Sequence, residues 1–253
     1  MSESVERLTV GTGTAARDIA ILRRAGGEPG LFWLGGFRSD MLGSKARALD
    51  ELGEEDGFAV TRFDYSGHGQ SGGDFMAGTI TRWLEEARAV FDTTTGPQIV
   101  VGSSMGGWLA LLLAKALGPG RIKALVLIAP ATDMTEELML PGFTPEERAQ
   151  YEAEGRALVP SEYSDEPYPI TRALIEDGRK HLMFGRTISI GRPIAILQGA
   201  ADPDVPKEHA LRLVEHLVSD PVTFTLVPGG DHRLSRPEDV ALLKRTIRAL
   251  AAD

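Results

Sequence analysis

The chain has 253 residues, of which 42% are hydrophobic and 25% charged, a composition typical of a globular protein with a sizeable buried core. Its formal charge is −9 at pH 7 and its basic residues are scattered, which argues against a nucleic acid or an anionic membrane surface as the main ligand. Because the chain contains no cysteine, disulfides, thiolate nucleophiles and thiolate metal sites are excluded.

The first residues, Met-Ser-Glu-Ser-Val-Glu-Arg, contain acidic side chains and no apolar run. They resemble neither a secretory signal nor a transit peptide, so the expected location is the cytoplasm. The most apolar stretches, residues 108–117 and 125–130, are far shorter than the roughly 20 residues of a membrane-spanning helix, and no span is expected.

In chain order, short apolar runs alternate with longer amphipathic segments. After an alternating stretch at 18–24, the predicted strands are 31–34, 58–63, 98–101, 124–129, 193–197 and 222–227. The predicted helices are 45–55, 79–91, 105–117, 207–217 and 237–250. This alternation predicts an α/β fold with a mostly parallel central sheet and helices on both faces, and we expect residues 1–253 to form a single domain.

Residues 132–191 interrupt the alternation, because about sixty residues separate two strands where a simple crossover uses far fewer. They predict two helices, 144–158 and 170–184, joined by a loop at 160–169. We expect this insertion to form a helical lid over the carboxyl edge of the sheet. Several of its apolar side chains are candidates for the wall of an acyl pocket: Leu138, Met139, Leu140, Phe143, Leu158, Met183 and Phe184.

Two glycine-rich stretches suggest phosphate binding, and both lack the surroundings that it requires. Gly67-His68-Gly69-Gln70-Ser71-Gly72 has the spacing of a dinucleotide fingerprint, but the next helix begins only near Thr79 and no acid follows the next strand to hold a ribose. A glycine-rich turn is therefore favoured. Gly102 and Gly107 have Walker A spacing, but Trp108 and Leu109 stand where lysine and serine or threonine are required, which excludes a P-loop.

The stretch Gly102-Ser103-Ser104-Met105-Gly106 lies between an apolar strand and an apolar helix, as a nucleophile elbow requires. A strand that turns sharply into a helix forces the central residue into strained backbone angles, and small residues on either side relieve the crowding. Ser104 is therefore the candidate nucleophile.

A nucleophilic serine needs a base and an orienting acid, in the chain order Ser, Asp, His. His232 fits as the base because it lies in the loop between the last predicted strand and the last helix, whereas His68 precedes the serine. Asp202, in the loop that follows the strand at 193–197, is the preferred acid. The alternative acids are Asp133, Asp204 and Asp231.

The oxyanion that forms on attack needs two backbone N–H donors. Met105, the residue after the nucleophile, supplies one. The loop Gly35-Gly36-Phe37 after the strand at 31–34 allows a close approach of the backbone and supplies the other. Phe37 is the preferred donor and Gly36 the alternative.

These residues resemble the α/β-hydrolase superfamily over nearly the whole chain. Within it, residues 62–67, 101–108 and the Asp231-His232-Arg233 loop are similar to the group of acyl esterases and thioesterases that contains the mitochondrial acyl-glucuronide esterase, also described as a palmitoyl-protein thioesterase. The resemblance implies an α/β-hydrolase fold, a triad of Ser104, Asp202 and His232, and a carboxylic ester or acyl thioester as substrate.

The sequence thus predicts a serine hydrolase that cleaves acyl esters or thioesters through an acyl-enzyme. The expected substrate is a small-molecule acyl ester or an acylated protein or thioester, and no cofactor or metal is expected. The alternative on the same scaffold is a serine aminopeptidase or amidase, which would need an amine-recognising acid in the insertion, such as Glu152, Glu154 or Glu162. Two alternatives of other classes are a dinucleotide-binding oxidoreductase that uses the Gly67 turn and a catalytically silent binding module. The sequence leaves the oligomeric state open.

Overall fold

The structure is a computed structural model that describes residues 4–161 and 164–252. The strands are β1 (Glu6–Val10), β2 (Arg17–Arg24), β3 (Gly27–Leu34), β4 (Phe58–Phe63), β5 (Gln98–Ser103), β6 (Ile122–Ile128), β7 (Arg156–Ser161), β8 (Ser164–Thr171), β9 (Ile194–Gly199) and β10 (Val222–Val227). The α-helices are α1 (Ser44–Asp56), α2 (Ile80–Asp92), α3 (Met105–Leu117), α4 (Leu140–Gly142), α5 (Pro145–Glu154), α6 (Arg172–Gly178), α7 (Lys207–His216) and α8 (Pro237–Ala252). A π-helical turn, Thr135–Met139, precedes α4.

One sheet contains eight of these strands in the order β1-β2-β4-β3-β5-β6-β9-β10. β2 pairs antiparallel with β1 and β4, and the other neighbouring strands in this sheet are parallel. The predicted α/β-hydrolase fold, with its mostly parallel sheet, is thereby confirmed. β1 has no counterpart among the predicted strands, because of its five residues only Val10 is buried and its alternation is too short to stand out.

Helices cover both faces of this sheet. Successive residues of a strand point to opposite faces, and apolar side chains on each face are buried by the helices that pack there. On β3, Phe32 and Leu34 join an apolar cluster with α2, α3 and α7, whereas Leu31 and Trp33 join a second cluster with α1 and α8. Most of α3 is buried because the helix packs on the sheet with one side and on α2 with another. Its nearly continuous apolar sequence follows from this position.

Residues 129–193, between β6 and β9, form the insertion. The two predicted helices are present as the shorter α5 and α6, but the predicted loop at 160–169 is wrong, because most of it belongs to β7 and β8, which pair antiparallel in a separate two-stranded sheet. The insertion is therefore not wholly helical. Prolines at 160, 167 and 169 favour a loop, yet a two-stranded hairpin has edge positions where no N–H needs to pair.

Candidate active site

The carboxyl ends of the parallel strands meet at one edge of the sheet, where ligands of α/β folds bind. The loop after β3 carries Phe37, β5 leads directly into Ser104, the loop after β9 carries Asp202, and the loop after β10 carries His232. Parallel pairing brings these four loops together although up to 195 positions separate their residues in the chain, from Phe37 to His232.

Ser104 occupies the sharp turn between β5 and α3, with φ of 54° and ψ of −120°. The turn is possible because two neighbours are glycines: a Cβ on Gly102 would lie 2.2 Å from the carbonyl oxygen of Gly106, and a Cβ on Gly106 would lie 2.0 Å from that of Leu34. Such a strained, positive-φ serine at a helix N-terminus is the geometry predicted for a nucleophile elbow.

A continuous hydrogen-bond chain joins the three candidate catalytic side chains. His232 Nε2 lies 3.1 Å from Ser104 Oγ, and His232 Nδ1 lies 2.9 Å from Asp202 Oδ2. The carboxyl side chain of Asp202 is 0% exposed and the imidazole 15% exposed, so the chain runs from a solvent-accessible nucleophile to a buried acid. A proton can pass from the serine to the imidazole while the carboxylate fixes the ring.

Asp202 is held in place by groups outside the sequence-predicted site. Its Oδ1 accepts hydrogen bonds from the backbone N–H groups of Asp204 and Val205, each at 2.9 Å. The buried amide of Gln198 donates to Asp202 Oδ2 at 3.2 Å and to the carbonyl oxygen of Val205 at 2.9 Å. Gln198, the penultimate residue of β9, thus ties the acid to its loop.

Two of the alternative acids, Asp133 and Asp231, have other partners. Both carboxylate oxygens of Asp133 accept N–H groups of Met183 and Phe184, which ties the two ends of the insertion together. Asp231 accepts the N–H of Leu234 within its own turn. The hydrogen-bond geometry therefore favours Asp202.

The loop after β3 lies against the nucleophile. A Cβ on Gly36 would be 3.4 Å from Ser104 Cβ, so the backbone passes directly beside the serine. The ring of Phe37 packs edge-on against Trp83 and Tyr168 and lines the same cavity as Ser104. This arrangement leaves the backbone N–H groups of Phe37 and Met105 as candidate oxyanion donors.

A cavity of about 860 Å³ opens at Ser104 and His232. Its wall on the insertion side is apolar and consists of Met134, Leu138, Met139, Phe143, Val159, Pro160, Tyr168 and Ile170. Three of the predicted pocket residues are in this wall, namely Leu138, Met139 and Phe143. The other four have different places: Leu140 packs within the insertion, Leu158 is exposed, and Met183 and Phe184 pack on the main core.

The opposite wall of the cavity is polar. Lys45 at the start of α1 donates its ammonium group to the carbonyl oxygen of Arg233, and burial together with the nearby Arg233 guanidinium lowers the pKa of Lys45 to about 8. Asp40 and Asp204 also line the cavity, and so does Arg38, whose guanidinium lies over the ring of Tyr168. The cavity thus has an apolar half and a charged half, with the serine between them.

Two of the three glutamates named for the aminopeptidase alternative, Glu152 and Glu154, do not line the cavity. Glu152 and Glu154 are exposed on α5, where they pair with Arg172 and Arg156. Glu162 lies outside the described residues. The alternative of an aminopeptidase therefore lacks support from these two residues.

Among the described residues, Asp202, Asp204 and His232 are grouped closely enough to hold a metal ion, with ligand atoms within 4.8 Å of one another. Both oxygens of Asp202 already accept hydrogen bonds from the chain, so the hydrogen-bond network accounts for this cluster. Within residues 4–161 and 164–252, no helix combines the length and apolar character needed to cross a membrane.

Comparisons with known proteins agree with the geometry. The family described as "Serine aminopeptidase, S33" matches residues 41–159, which include Ser104 but neither Asp202 nor His232. A mouse protein named "Palmitoyl-protein thioesterase ABHD10, mitochondrial" is 36% identical over 234 residues, which are 91% of this chain and 77% of that protein.

Two solved structures are similar over almost the whole chain. A putative hydrolase from Agrobacterium vitis S4 is 49% identical with a TM-score of 0.94, and the match covers 99% of this chain and 100% of that one. "Alpha/beta hydrolase domain-containing protein 10 from mouse" is 33% identical with a TM-score of 0.87, and 98% of each chain is covered. The resemblance expected from the sequence motifs is confirmed.

The same comparisons correct one prediction. The expected cytoplasmic location is wrong, because mammalian relatives that match about nine-tenths of this chain, from mouse and human among others, carry a mitochondrial designation in their names. The amino-acid composition of the first residues did not identify the compartment.

Proposed function

Since the chain belongs to the α/β-hydrolase superfamily and, within it, to the family of the ABHD10 palmitoyl-protein thioesterases, we propose that it cleaves acyl esters or thioesters through an acyl-enzyme at Ser104. The observation that carries the proposal is the hydrogen-bond chain from Ser104 through His232 to Asp202 at the mouth of a half-apolar cavity. A nucleophile, a base and an acyl-sized pocket meet at one point.

In the acylation step, Ser104 Oγ attacks the acyl carbonyl carbon while His232 Nε2 takes its proton. The buried Asp202 keeps the Nδ1 proton of His232 in place, so that Nε2 is the acceptor, and it stabilises the imidazolium that forms. His232 then gives the proton to the departing oxygen or sulfur. In the deacylation step His232 takes a proton from water and the hydroxyl adds to the acyl carbon. The bond between the acyl carbon and Ser104 Oγ then breaks, His232 returns the proton to Ser104 Oγ, and the carboxylic acid leaves.

The negative charge that develops on the carbonyl oxygen is stabilised by the N–H groups of Met105 and Phe37. Met105 is the first residue of α3, where backbone N–H groups have no partner within the helix and the helix dipole favours negative charge. Phe37 belongs to the loop that passes beside Ser104. Two preorganised donors of this kind lower an acyl-transfer barrier by several kcal/mol.

The insertion acts as the lid within a single domain. It supplies the apolar wall of the cavity, and it is joined to the sheet domain by hydrogen bonds such as those from the Thr81 N–H and hydroxyl to Asp177. Apolar walls with few charges favour an acyl chain over a peptide. The charged half of the cavity then faces the leaving group.

A fluorophosphonate probe tests the assignment of the nucleophile. Label is expected on Ser104, and Ser104→Ala should lose both label and turnover, whereas the neighbouring Ser103→Ala keeps the label. Mass spectrometry of the labelled peptide locates the adduct. Full labelling of the Ser104→Ala protein would remove the basis of the proposal.

A substrate panel tests the reaction class and the acyl pocket. Each buried methylene contributes about 0.8 kcal/mol, so kcat/KM should rise up to about fourfold per carbon from acetyl upward until the pocket is full, for oxygen esters and thioesters alike. Met139→Ser should flatten this rise and leave acetyl ester cleavage nearly unchanged. A flat profile combined with faster cleavage of aminoacyl anilides would favour the aminopeptidase instead.

A further inference from the structure

His68, in the glycine-rich turn between β4 and α2, is a buried histidine that the proposed reaction does not use. Only 4% of it is exposed. Its ring lies among the aromatic side chains of Tyr65, Phe75 and Trp83, with centroid distances of 5.8, 5.1 and 5.3 Å. A purely apolar residue would fill this space, so its two ring nitrogens need an explanation.

Both nitrogens are hydrogen-bonded, and the two partners fix a single tautomer. Nδ1 lies 3.1 Å from the carbonyl oxygen of Ser66, which can only accept, so Nδ1 carries the proton. Nε2 lies 3.1 Å from the backbone nitrogen of Arg38, which can only donate, so Nε2 is the acceptor. Neutral His68 is therefore matched to both partners, and a protonated ring would oppose the Arg38 N–H.

The Arg38 N–H belongs to the loop that passes beside the nucleophile. Arg38 has a φ of 58°, a conformation that costs energy for a residue other than glycine and that surrounding contacts must maintain. The hydrogen bond to His68 fixes the peptide plane between Phe37 and Arg38. The preceding peptide plane, between Gly36 and Phe37, carries the N–H group proposed as an oxyanion donor.

That preceding plane is held from its other side. The backbone N–H and the hydroxyl of Ser39 both donate to the carbonyl oxygen of Gly36, at 3.2 and 2.9 Å. Because a trans peptide is planar, fixing this carbonyl also fixes the direction of the Phe37 N–H. A third tie lies two residues beyond Ser39, where the N–H of Met41 donates to the buried carboxylate of Asp64 at 2.6 Å.

The turn that contains His68 is itself rigid. Asp64 Oδ2 accepts the N–H of Gln70, and a Cβ on Gly69 would lie 2.1 Å from the same oxygen. The carboxylate therefore occupies the space beside the glycines in which a dinucleotide phosphate would have to bind, so the Gly67 turn is not a dinucleotide site. Instead, His68 and Asp64 hold the loop after β3 by accepting hydrogen bonds from the N–H groups of Arg38 and Met41.

We propose that His68 is a positioning residue for the oxyanion hole, which holds the Phe37 N–H at the nucleophile through its Nε2 hydrogen bond to Arg38. The proposal rests on the proposed function, since it assumes an oxyanion at Ser104. Burial lowers the pKa of His68 to about 4, so the acceptor nitrogen stays unprotonated at the pH values at which His232 can act as a base.

Two substitutions separate the hydrogen bond from the packing. His68→Phe keeps an aromatic ring against its three neighbours and removes the acceptor. His68→Gln loses the ring but places an amide oxygen at the same number of bonds from Cβ as Nε2. Ester hydrolysis by both variants, the wild type and Ser104→Ala is measured as kcat and KM, together with the free energy of unfolding in urea.

We expect His68→Phe to lower kcat by about tenfold or more with KM changed by less than about twofold, because a misplaced donor costs part of the 10²- to 10³-fold loss of a deleted donor. His68→Gln should retain kcat within about threefold of the wild type. If the ring acted only by packing, His68→Gln would be the worse variant in both kcat and stability, and that order would overturn the proposal. Equal losses in the two variants would overturn it as well.

The tautomer can be measured in the unmodified protein, so the proposal stays testable if His68→Phe does not fold. ¹⁵N-detected histidine spectra should show His68 protonated on Nδ1 and bare on Nε2 down to about pH 5. A proton on Nε2 would refute the inference. Failure of the proposed function has a different signature, since a wild type without esterase activity, or a fully active Ser104→Ala, would show it before any His68 variant is compared.

Discussion

Replacing Asp202 by asparagine should cost the enzyme about four orders of magnitude in kcat, and the hydrogen bonds around this side chain explain why. Oδ1 accepts two backbone N–H groups, from Asp204 and Val205, so the amide oxygen of the substituted side chain would remain on that side. Its NH₂ group would then face His232 Nδ1, which is 2.9 Å from the present Oδ2. The imidazole would have to place its proton on Nε2, where it cannot take the proton of Ser104.

The expected fall of about 10⁴ in kcat corresponds to about 5 kcal/mol of lost transition-state stabilisation. A second, smaller effect is structural. The new NH₂ group would also meet the Gln198 amide donor, which now lies 3.2 Å from Oδ2, so the free energy of unfolding should fall by about 1–3 kcal/mol. Steady-state hydrolysis of a p-nitrophenyl ester gives the first quantity and urea titration the second.

Asp133→Asn is the matched control. Asp133 binds backbone N–H groups in the insertion rather than His232, so its replacement should lower stability and change kcat by less than about threefold. A nearly silent Asp202→Asn together with a large kcat loss in Asp133→Asn would show that the acid follows β6 instead of β9. It would also mean that the hydrogen bond from His232 to Asp202 does not orient the imidazole.

Three further predictions concern Gly106 in the elbow and the two residues, His68 and Asp64, that bind the loop after β3. Gly106→Ala should lower the free energy of unfolding by about 1–3 kcal/mol or prevent folding, because its Cβ would lie 2.0 Å from the Leu34 carbonyl oxygen; a wild-type urea curve would contradict the tight elbow. As the pH falls from 6.5 to 4, His68 becomes protonated in the unfolded chain but stays neutral in the folded protein. The free energy of unfolding should therefore fall by up to about 3 kcal/mol over this range, and the same pH dependence in a His68→Gln protein would refute this. Asp64→Asn should lower stability by about 1–3 kcal/mol and kcat with it, because its NH₂ would face an N–H donor such as that of Met41; unchanged kcat would separate this tie from the oxyanion loop.

Local patterns were sufficient to predict the parallel strands of the sheet and the elbow, although not β1. The apolar runs gave β4, β5 and β10 nearly to the residue. For β5, which is buried throughout and lies between two parallel neighbours, the reason is that such strands need continuous apolar side chains. The glycines around Ser104 signal the elbow because no larger residue fits there. His232 was identified by its place after the last strand, which the topology brings to the same sheet edge as the serine.

The insertion was predicted less well, because its conformation depends on pairing that no local pattern encodes. Tyr168 lies between Pro167 and Pro169, which suggests a loop, and Ile170 was predicted to begin a helix, yet both residues pair with β7 and line the cavity wall. The wall itself is chosen by long-range contacts. Met183 is as apolar as Met139, but the carboxylate of Asp133, 50 positions earlier, holds its backbone, and its side chain packs in the core.

The same reasoning explains why Gln198 and His68 had no visible role in the sequence. Each acts through hydrogen bonds that only the folded loops create: Gln198 donates to the candidate catalytic carboxylate of Asp202 and to the Val205 carbonyl, and His68 accepts a backbone N–H 30 positions earlier. A buried donor or acceptor without its partner costs about 1–3 kcal/mol, so the partner's position decides whether such a residue stabilises the fold. The candidate nucleophile, base and acid are therefore predicted from motifs, whereas the groups that set their geometry are found only when the fold shows which buried polar atoms meet.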